Sequence, residues 1–242
     1  MKKPRKNRIL LNKRRYEGIV VLVSGSGGNL RFLYHFLNST SAPFRIIAVI
    51  ADRNCEALEF CDRNSIPNFL IPYNRKNNNN ALYNKLIELQ PNYIVCHIHK
   101  ILDEKLVGDF KGKLINLHYS ILPKHKGLIG FDPIKKAFAK HDKVTGVTCH
   151  YINNDVDEGE IIANAILDIN ESETIESISN VIFRCGCLSI INSLYLTEEN
   201  PPLFQSEPQT LNILNRKITF NKELRFDLNQ LNETFWEKVK EN

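Results

Sequence analysis

Short apolar, β-branched runs alternate with stretches of helical spacing along much of the chain. GIVVLVSGSGGNLRFLYHFL at 18–37 reads as a buried strand, a Gly-rich turn and a helix. FRIIAVIAD (44–52), NFLIPY (68–73), NYIVCHI (92–98) and KLINLHYS (113–120) read as further strands. Between them lie EALEFCDRNS (56–65), ALYNKLIELQ (81–90) and LDEKLVGDF (102–110), all helical in spacing, with Leu82, Leu86 and Leu89 on one face of the second. An Asn tract at 77–80 has no apolar content and reads as a loop or helix start. DPIKKAFAK (132–140) is a further helix; Asp132 can cap it and Pro133 suits its first turn. This alternation predicts a mostly parallel sheet with helices on both faces.

From residue 144 the pattern changes. VTGVTCHYI (144–152) and EIIANAILDI (160–169) read as two longer strands around NNDVDEG, an antiparallel addition to the sheet. Residues 173–196 form a long helical stretch. After Pro201-Pro202 the chain reads as polar and irregular up to LNETFWEKVKEN, a terminal helix with the only Trp, Trp236. The expected fold class is therefore α/β: a Rossmann-like, mostly parallel sheet flanked by helices, with an antiparallel C-terminal extension. The expected organisation is a basic, flexible extension over 1–17, a main domain over 18–200 and a tail with a terminal helix over 201–242.

Charge sharpens this picture. The net charge is +5, but MKKPRKNRILLNKRR holds eight Lys/Arg and no acid. The remainder carries 24 basic against 27 acidic residues, so the body is not a basic nucleic-acid-binding domain. The tail reads as a solvated extension, and it lacks the apolar stretch of a secretory signal. No apolar run approaches the roughly 20 residues that span a bilayer. Six cysteines without a C-x-x-C pattern read as buried thiols of a reducing cytoplasm rather than zinc ligands.

Three segments carry candidate chemistry. SGSGGNL follows the first strand and opens a helix, so Gly25, Ser26, Gly27, Gly28 and Asn29 present backbone N–H groups where an anion would bind. It is neither G-x-G-x-x-G nor the Lys-containing phosphate loop, and a tight turn without a ligand reads equally well. In INLHYSILPKHKG, Asn116 and His118 stand two apart on a strand and project to the same side at its carboxyl end. Imidazole is the usual acid/base near neutral pH, and an amide N–H can hold a developing oxyanion. In NNDVDEGEII, Asp155, Asp157 and Glu158 cluster in a loop where a carboxylate could orient a histidine; a solvated turn is the plain alternative. His97 and His99 could be a metal pair, but no third ligand is evident and a structural role is favoured. His150, strand-internal and shortly before the acidic loop, reads as bordering the site, and His125 and His141 read as exposed.

Taken together, in this order and spacing, the three segments resemble the 10-formyltetrahydrofolate-dependent formyltransferases, with the phosphoribosylglycinamide formyltransferase branch the nearest likeness. The resemblance spans roughly residues 18–196 and makes 18–200 a formyltransferase domain. It implies Asn116, His118 and Asp157 as catalytic residues. It implies Gly25, Ser26, Gly27, Gly28 and Asn29 as the loop for the acceptor's phosphate. His99, Lys100, Ile101 and Leu102, with Asn153 and Asp155, would contact the folate. The implied co-substrate is 10-formyltetrahydrofolate, with no metal, and the implied setting is cytoplasmic purine biosynthesis. Small molecules are the expected partners, without membrane or nucleic acid, in a monomer or homodimer. The implied reaction is direct attack of a primary amine on the formyl carbon, with protonated His118 and Asn116 on the oxyanion.

Some positions depart from the family pattern. Phe183, followed by Arg184, stands where the family carries a Glu toward the glycinamide amine. Gly28 stands where Ser is common, and HKGLIGF is unlike the family's usual segment. An amino sugar on a nucleotide carrier is the alternative acceptor, and a non-catalytic folate- or nucleotide-binding protein is the third reading. A methionyl-tRNA formyltransferase fits less well, because about forty C-terminal residues are few for a further barrel domain.

Overall fold

A computed structural model describes residues 16–75, 80–170, 172–198 and 207–241. The basic segment 1–15 and most of the Asn tract lie outside the described residues. Nine strands form one sheet in the order β3-β2-β1-β4-β5-β6-β7-β9-β8. Its first half is the expected parallel part: β1 (Glu17–Val23), β2 (Phe44–Ala51), β3 (Asn68–Leu70), β4 (Tyr93–His97) and β5 (Leu114–His118). β3 is only three residues long, because Pro72 follows and the run Ile71 to Tyr73 leaves the ladder.

Helices cover both faces. On one side are α1 (Gly28–Ser39), α2 (Glu56–Arg63), α5 (Asp132–Ala139), α6 (Ile175–Glu198) and α7 (Glu233–Lys240). On the other are α3 (Ala81–Leu89) and α4 (Glu104–Asp109). β1 shows why its apolar run is unbroken: Ile19, Val21 and Val23 face the first group, while Val20 and Leu22 face the second. α6 is long and apolar enough to cross a bilayer, but 78% of its apolar window is buried inside this fold. Asp132 does not cap α5; Phe131 holds that position and Asp132 is the first helical residue, paired instead with Lys135.

The second half of the sheet is antiparallel. β6 (Val144–Tyr151) pairs with β5, and β7 (Ile161–Asp168) with β6. Beyond them the segment expected to be irregular forms a hairpin, β8 (Gln209–Ile213) and β9 (Arg216–Phe220), with β9 laid on β7. Both strands alternate: Ile218 and Phe220 are buried on β9, and Leu211 and Ile213 are half-buried on the edge strand β8. α7 is the expected terminal helix. Asn232 caps it, and Trp236 stacks on Phe32 of α1 with ring centroids 5.5 Å apart.

The strand order places the site. From β1 the chain runs outward to β2 and β3, then returns to the opposite side of β1 as β4 and β5. That reversal opens a crevice at the carboxyl ends of β1 and β4, where ligands bind in open α/β sheets. The register pairs Val23 with His97 and Cys96 with Asn116, so the ends of β1, β4 and β5 stand side by side.

Candidate active site

A cavity of about 480 Å³ opens at these three strand ends. Every residue given a catalytic or binding role from the sequence lines it, from Gly25 to Asp157. Its size falls in the usual range for small-molecule sites.

Asn116 and His118 project together from the end of β5, as their spacing requires. Asp157 reaches them from the loop after β6, in a left-handed conformation with φ 56°. One carboxylate oxygen of Asp157 accepts the Gly127 N–H at 2.8 Å and lies 3.3 Å from His118 Nδ1. The other lies 3.5 Å from the Asn116 amide nitrogen and 3.6 Å from His150 Nε2. Burial alone would raise the Asp157 carboxyl. The neighbouring His150 imidazole, the Gly127 N–H and the His118 imidazole outweigh it and hold the group below the usual carboxylate range.

His150 belongs at the centre of this cluster, not at its border. It is 2% exposed, and Asn116 Nδ2 approaches its Nε2 at 3.2 Å. An amide nitrogen only donates, so Nε2 accepts and the ring proton is on Nδ1, which donates to the Tyr151 carbonyl at 2.8 Å. β5 and β6 pair Asn116 directly with His150, so the two side chains share one face of the sheet.

His118 stands between two acceptors: Asp157 at Nδ1 and the His125 carbonyl at Nε2, 3.0 Å away. A neutral ring can donate to one of them; an imidazolium satisfies both. Burial lowers its pKa, and the Asp157 charge and the His125 carbonyl oppose that shift without cancelling it. The neutral ring is thereby favoured at rest. His125 differs from its reading as exposed: its side chain is tucked in, with Nε2 2.6 Å from Asp142. His97 lines the cavity with Nε2 buried and unpartnered among the described residues, and burial, then the His99 charge, brings it down to about 4. Among the described residues no group of three potential metal ligands gathers.

The loop of residues 25–29 lies across the crevice, with Gly27 capping α1. The Asn29 side chain turns inward, donating to Tyr119 Oη at 3.0 Å and accepting from the Cys187 thiol at 3.3 Å. Only its backbone N–H remains for a ligand. On the other rim, the 99–102 segment and the 153–157 loop face each other, with Ile101 and Val156 exposed at the mouth. Asn153 braces its own loop, bonding the Asp155 N–H and the Glu158 carbonyl.

Gly28 and Phe183, both singled out from the sequence, lie in contact. A Cβ on Gly28 would stand 2.9 Å from the Phe183 ring, so the aromatic side chain on α6 fills the space a larger residue 28 would need. Gly28→Ala should push the ring into the cavity and Phe183→Ala should relieve it. In a double-mutant cycle on acceptor binding, the two changes are expected to couple by about 0.5–3 kcal/mol. Additive effects would mean that the contact is indifferent to the acceptor.

The chain is similar to proteins already known. A family model described as "Formyl transferase" matches residues 17–187. The phosphoribosylglycinamide formyltransferase of Haemophilus influenzae is 31% identical over 166 residues, covering 66% of this chain and 77% of that protein. The trifunctional purine biosynthetic protein adenosine-3 of Chironomus tentans is 34% identical over 170 residues, 67% of this chain but only 12% of that much longer protein. A formyltetrahydrofolate deformylase of Haemophilus influenzae is 29% identical over 135 residues, 54% of this chain and 48% of its own length. Among solved structures, a phosphoribosylglycinamide formyltransferase from Coxiella burnetii superposes with a TM-score of 0.67 at 29% identity, covering 75% of this chain and 86% of that one. With the family model spanning most of its length and these relatives beside it, the chain belongs to the formyl transferase family.

Proposed function

We propose that the protein transfers the formyl group of 10-formyltetrahydrofolate to the primary amine of a small phosphorylated acceptor, glycinamide ribonucleotide, in purine biosynthesis. The observation that carries this is the meeting of Asn116, His118 and Asp157 in the cavity that the 25–29 loop also lines. The acceptor's phosphate would lie on the N–H groups of that loop and its amine at the end of β5. The folate would lie between residues 99–102 and the loop with Asn153 and Asp155, whose exposed Ile101 and Val156 suit its apolar middle.

The roles follow from the hydrogen-bond geometry. As the amine attacks, negative charge develops on the formyl oxygen, and the Asn116 N–H that rests 3.5 Å from Asp157 turns to stabilise it. His118, neutral at rest, gains a proton as the amine loses one. The resulting imidazolium is held by Asp157 on one side and the His125 carbonyl on the other. Two acceptors around one ring thus favour the charged form that exists only during reaction, which is what accelerates a step. His118 and Asp157 then pass the proton on to the departing folate nitrogen. The deep burial of five of the six thiols suits a reducing, cytoplasmic setting.

Phe183 favours a second reading of the acceptor alone. Asp155 and Asp157 are the only carboxylates lining the cavity among the described residues, and both lie on the loop after β6. The α6 side offers an aromatic ring in place of an anionic partner. That suits a nucleotide-linked amino sugar, or water as in the relatives named deformylases. A spectroscopic assay of formyl transfer separates these cases. Glycinamide ribonucleotide should be formylated. Turnover only with an amino sugar, or formate release without any amine, would move the acceptor. Folate binding with no turnover at all would remove the enzymatic reading.

A further inference from the structure

The 25–29 loop contains no lysine or arginine, yet a buried cation stands directly behind it. Arg31 lies in the first turn of α1 and is 8% exposed. Its Nη1 donates to the Ser26 carbonyl at 3.0 Å, and its Nε to the Val239 carbonyl at 3.0 Å. Among the described residues no carboxylate lies within ion-pair distance of it; burial lowers its pKa, and Glu56 offsets that only through space. A buried charge without a counterion costs several kcal/mol. Val239 is at the C-terminal end of α7, where free carbonyls carry a partial negative charge, and this recovers part of that cost.

The contact with Ser26 also sets the loop's direction. The Ser26 C=O and the Gly27 N–H belong to one planar trans peptide and point in opposite directions. Holding the oxygen back toward Arg31 turns the Gly27 N–H forward. Among the described residues the N–H groups of Gly27, Gly28 and Asn29 have no acceptor. Three unmet donors in a row, backed by an uncompensated cation, form a built place for an anion.

We infer that Arg31 is a positioning residue of the acceptor's phosphate subsite, held in place by the C-terminal helix α7. The inference rests on the proposed role of the 25–29 loop. It gives the C-terminal segment a part in the site, although that segment lies beyond the residues matched by the family model. α7 is clamped at two places. Phe32 packs on Phe235 and Trp236 with centroids 5.8 and 5.5 Å away. Arg184 pairs with both Glu233 oxygens at 2.8 Å and stacks over Trp236.

The test uses the full chain and inorganic phosphate as probe, with titration calorimetry and steady-state kinetics. Arg31→Gln should weaken phosphate binding by about tenfold or more, the scale of a charge-assisted hydrogen bond. The acceptor KM should rise in parallel, with the folate KM and kcat little changed. Arg31→Lys, which keeps the charge and loses one bond, should recover part of the loss. Phe220→Leu, in the β9 core, serves as a stability control that leaves phosphate binding intact. If Arg31→Gln weakens phosphate no more than Phe220→Leu does, or lowers all kinetic constants together, Arg31 is merely structural. If the unaltered protein does not bind phosphate, the inference falls. If phosphate binding follows Arg31 but glycinamide ribonucleotide is not formylated, the inference stands and the acceptor assignment fails.

Discussion

Asp157→Asn is expected to lower kcat by about 10²–10⁴-fold, the range for losing a positioned acid/base group, while the fold persists. Asn keeps the size of Asp and can still accept the Gly127 N–H through its carbonyl oxygen. It cannot carry the charge that steadies protonated His118 at 3.3 Å. Folate and acceptor KM should change little, because the loss falls on the transition state. A pH series separates the electrostatic role from a steric one. The Asp157 carboxyl is held below its ordinary value of about 4. Its contribution to stability is therefore complete above that value and is lost as pH falls through the folded pKa. His118 is also lowered, so the folded state resists its protonation, and stability starts to fall as pH drops below about 6.5. The parent should lose stability across both windows. The Asn variant should lack the lower one, and its His118 should be still harder to protonate. Chemical denaturation between pH 3 and pH 7 reads the first, and NMR titration of the imidazole the second. Unchanged kcat in the Asn variant would remove Asp157 from the mechanism.

The parallel half of the sheet was legible because each strand is buried on two faces and bounded by a helix of clear period. β1, with Val20 and Leu22 in one core and Val21 and Val23 in the other, is the plainest case. The hairpin of residues 209–220 was not legible. β8 is a five-residue edge strand whose alternation, Leu211 and Ile213 against Thr210 and Asn212, is too short to stand out from a polar surrounding. In the site, Asn116 and His118 could be paired from spacing alone, since a strand has a fixed period of two. Asp157 needed the resemblance, because its approach depends on a loop closing over the sheet. His150 could be placed only near the acidic loop; its position opposite Asn116 comes from the β5–β6 register, which no local pattern reports. Arg31 was hidden in the same way. Its role comes from Val239, 208 positions away in the chain, and no local pattern reports such a contact. The Asn29 side chain was equally illegible: the loop pattern speaks only for its backbone N–H, while the fold uses the amide to join α1 to Tyr119 and Cys187.

Gly159→Ala should be the most damaging single methyl in the neighbourhood of the site. A Cβ at that position would stand 1.6 Å from the Tyr151 carbonyl oxygen and 3.3 Å from His150 Nδ1. Backbone cannot swing aside as a side-chain tip can, so β6 and the start of β7 must separate. That strains the Tyr151 N–H to Glu160 carbonyl bond, 2.9 Å long in the present fold. A loss of about 3 kcal/mol is expected, at the upper end for overpacking. In a chain of this size that lowers Tm by roughly 6–12 °C. The chemistry should suffer as well. The displaced Tyr151 carbonyl is the acceptor for His150 Nδ1, and that bond sets which ring nitrogen faces Asn116. When it is lost, the imidazole can turn, and the Asn116 amide loses its partner. kcat measured well below the new Tm should therefore fall too, with circular dichroism giving the folded fraction. Gly108→Ala is the contrast. It lies in α4 with nothing within 4 Å of the added methyl, so it should be neutral or stabilise by about 0.4–1 kcal/mol. If Gly159→Ala keeps the parent's Tm, the close approach of β6 to residue 159 is wrong. If it loses stability but keeps full kcat in the folded fraction, His150 does not hold Asn116 in its working position.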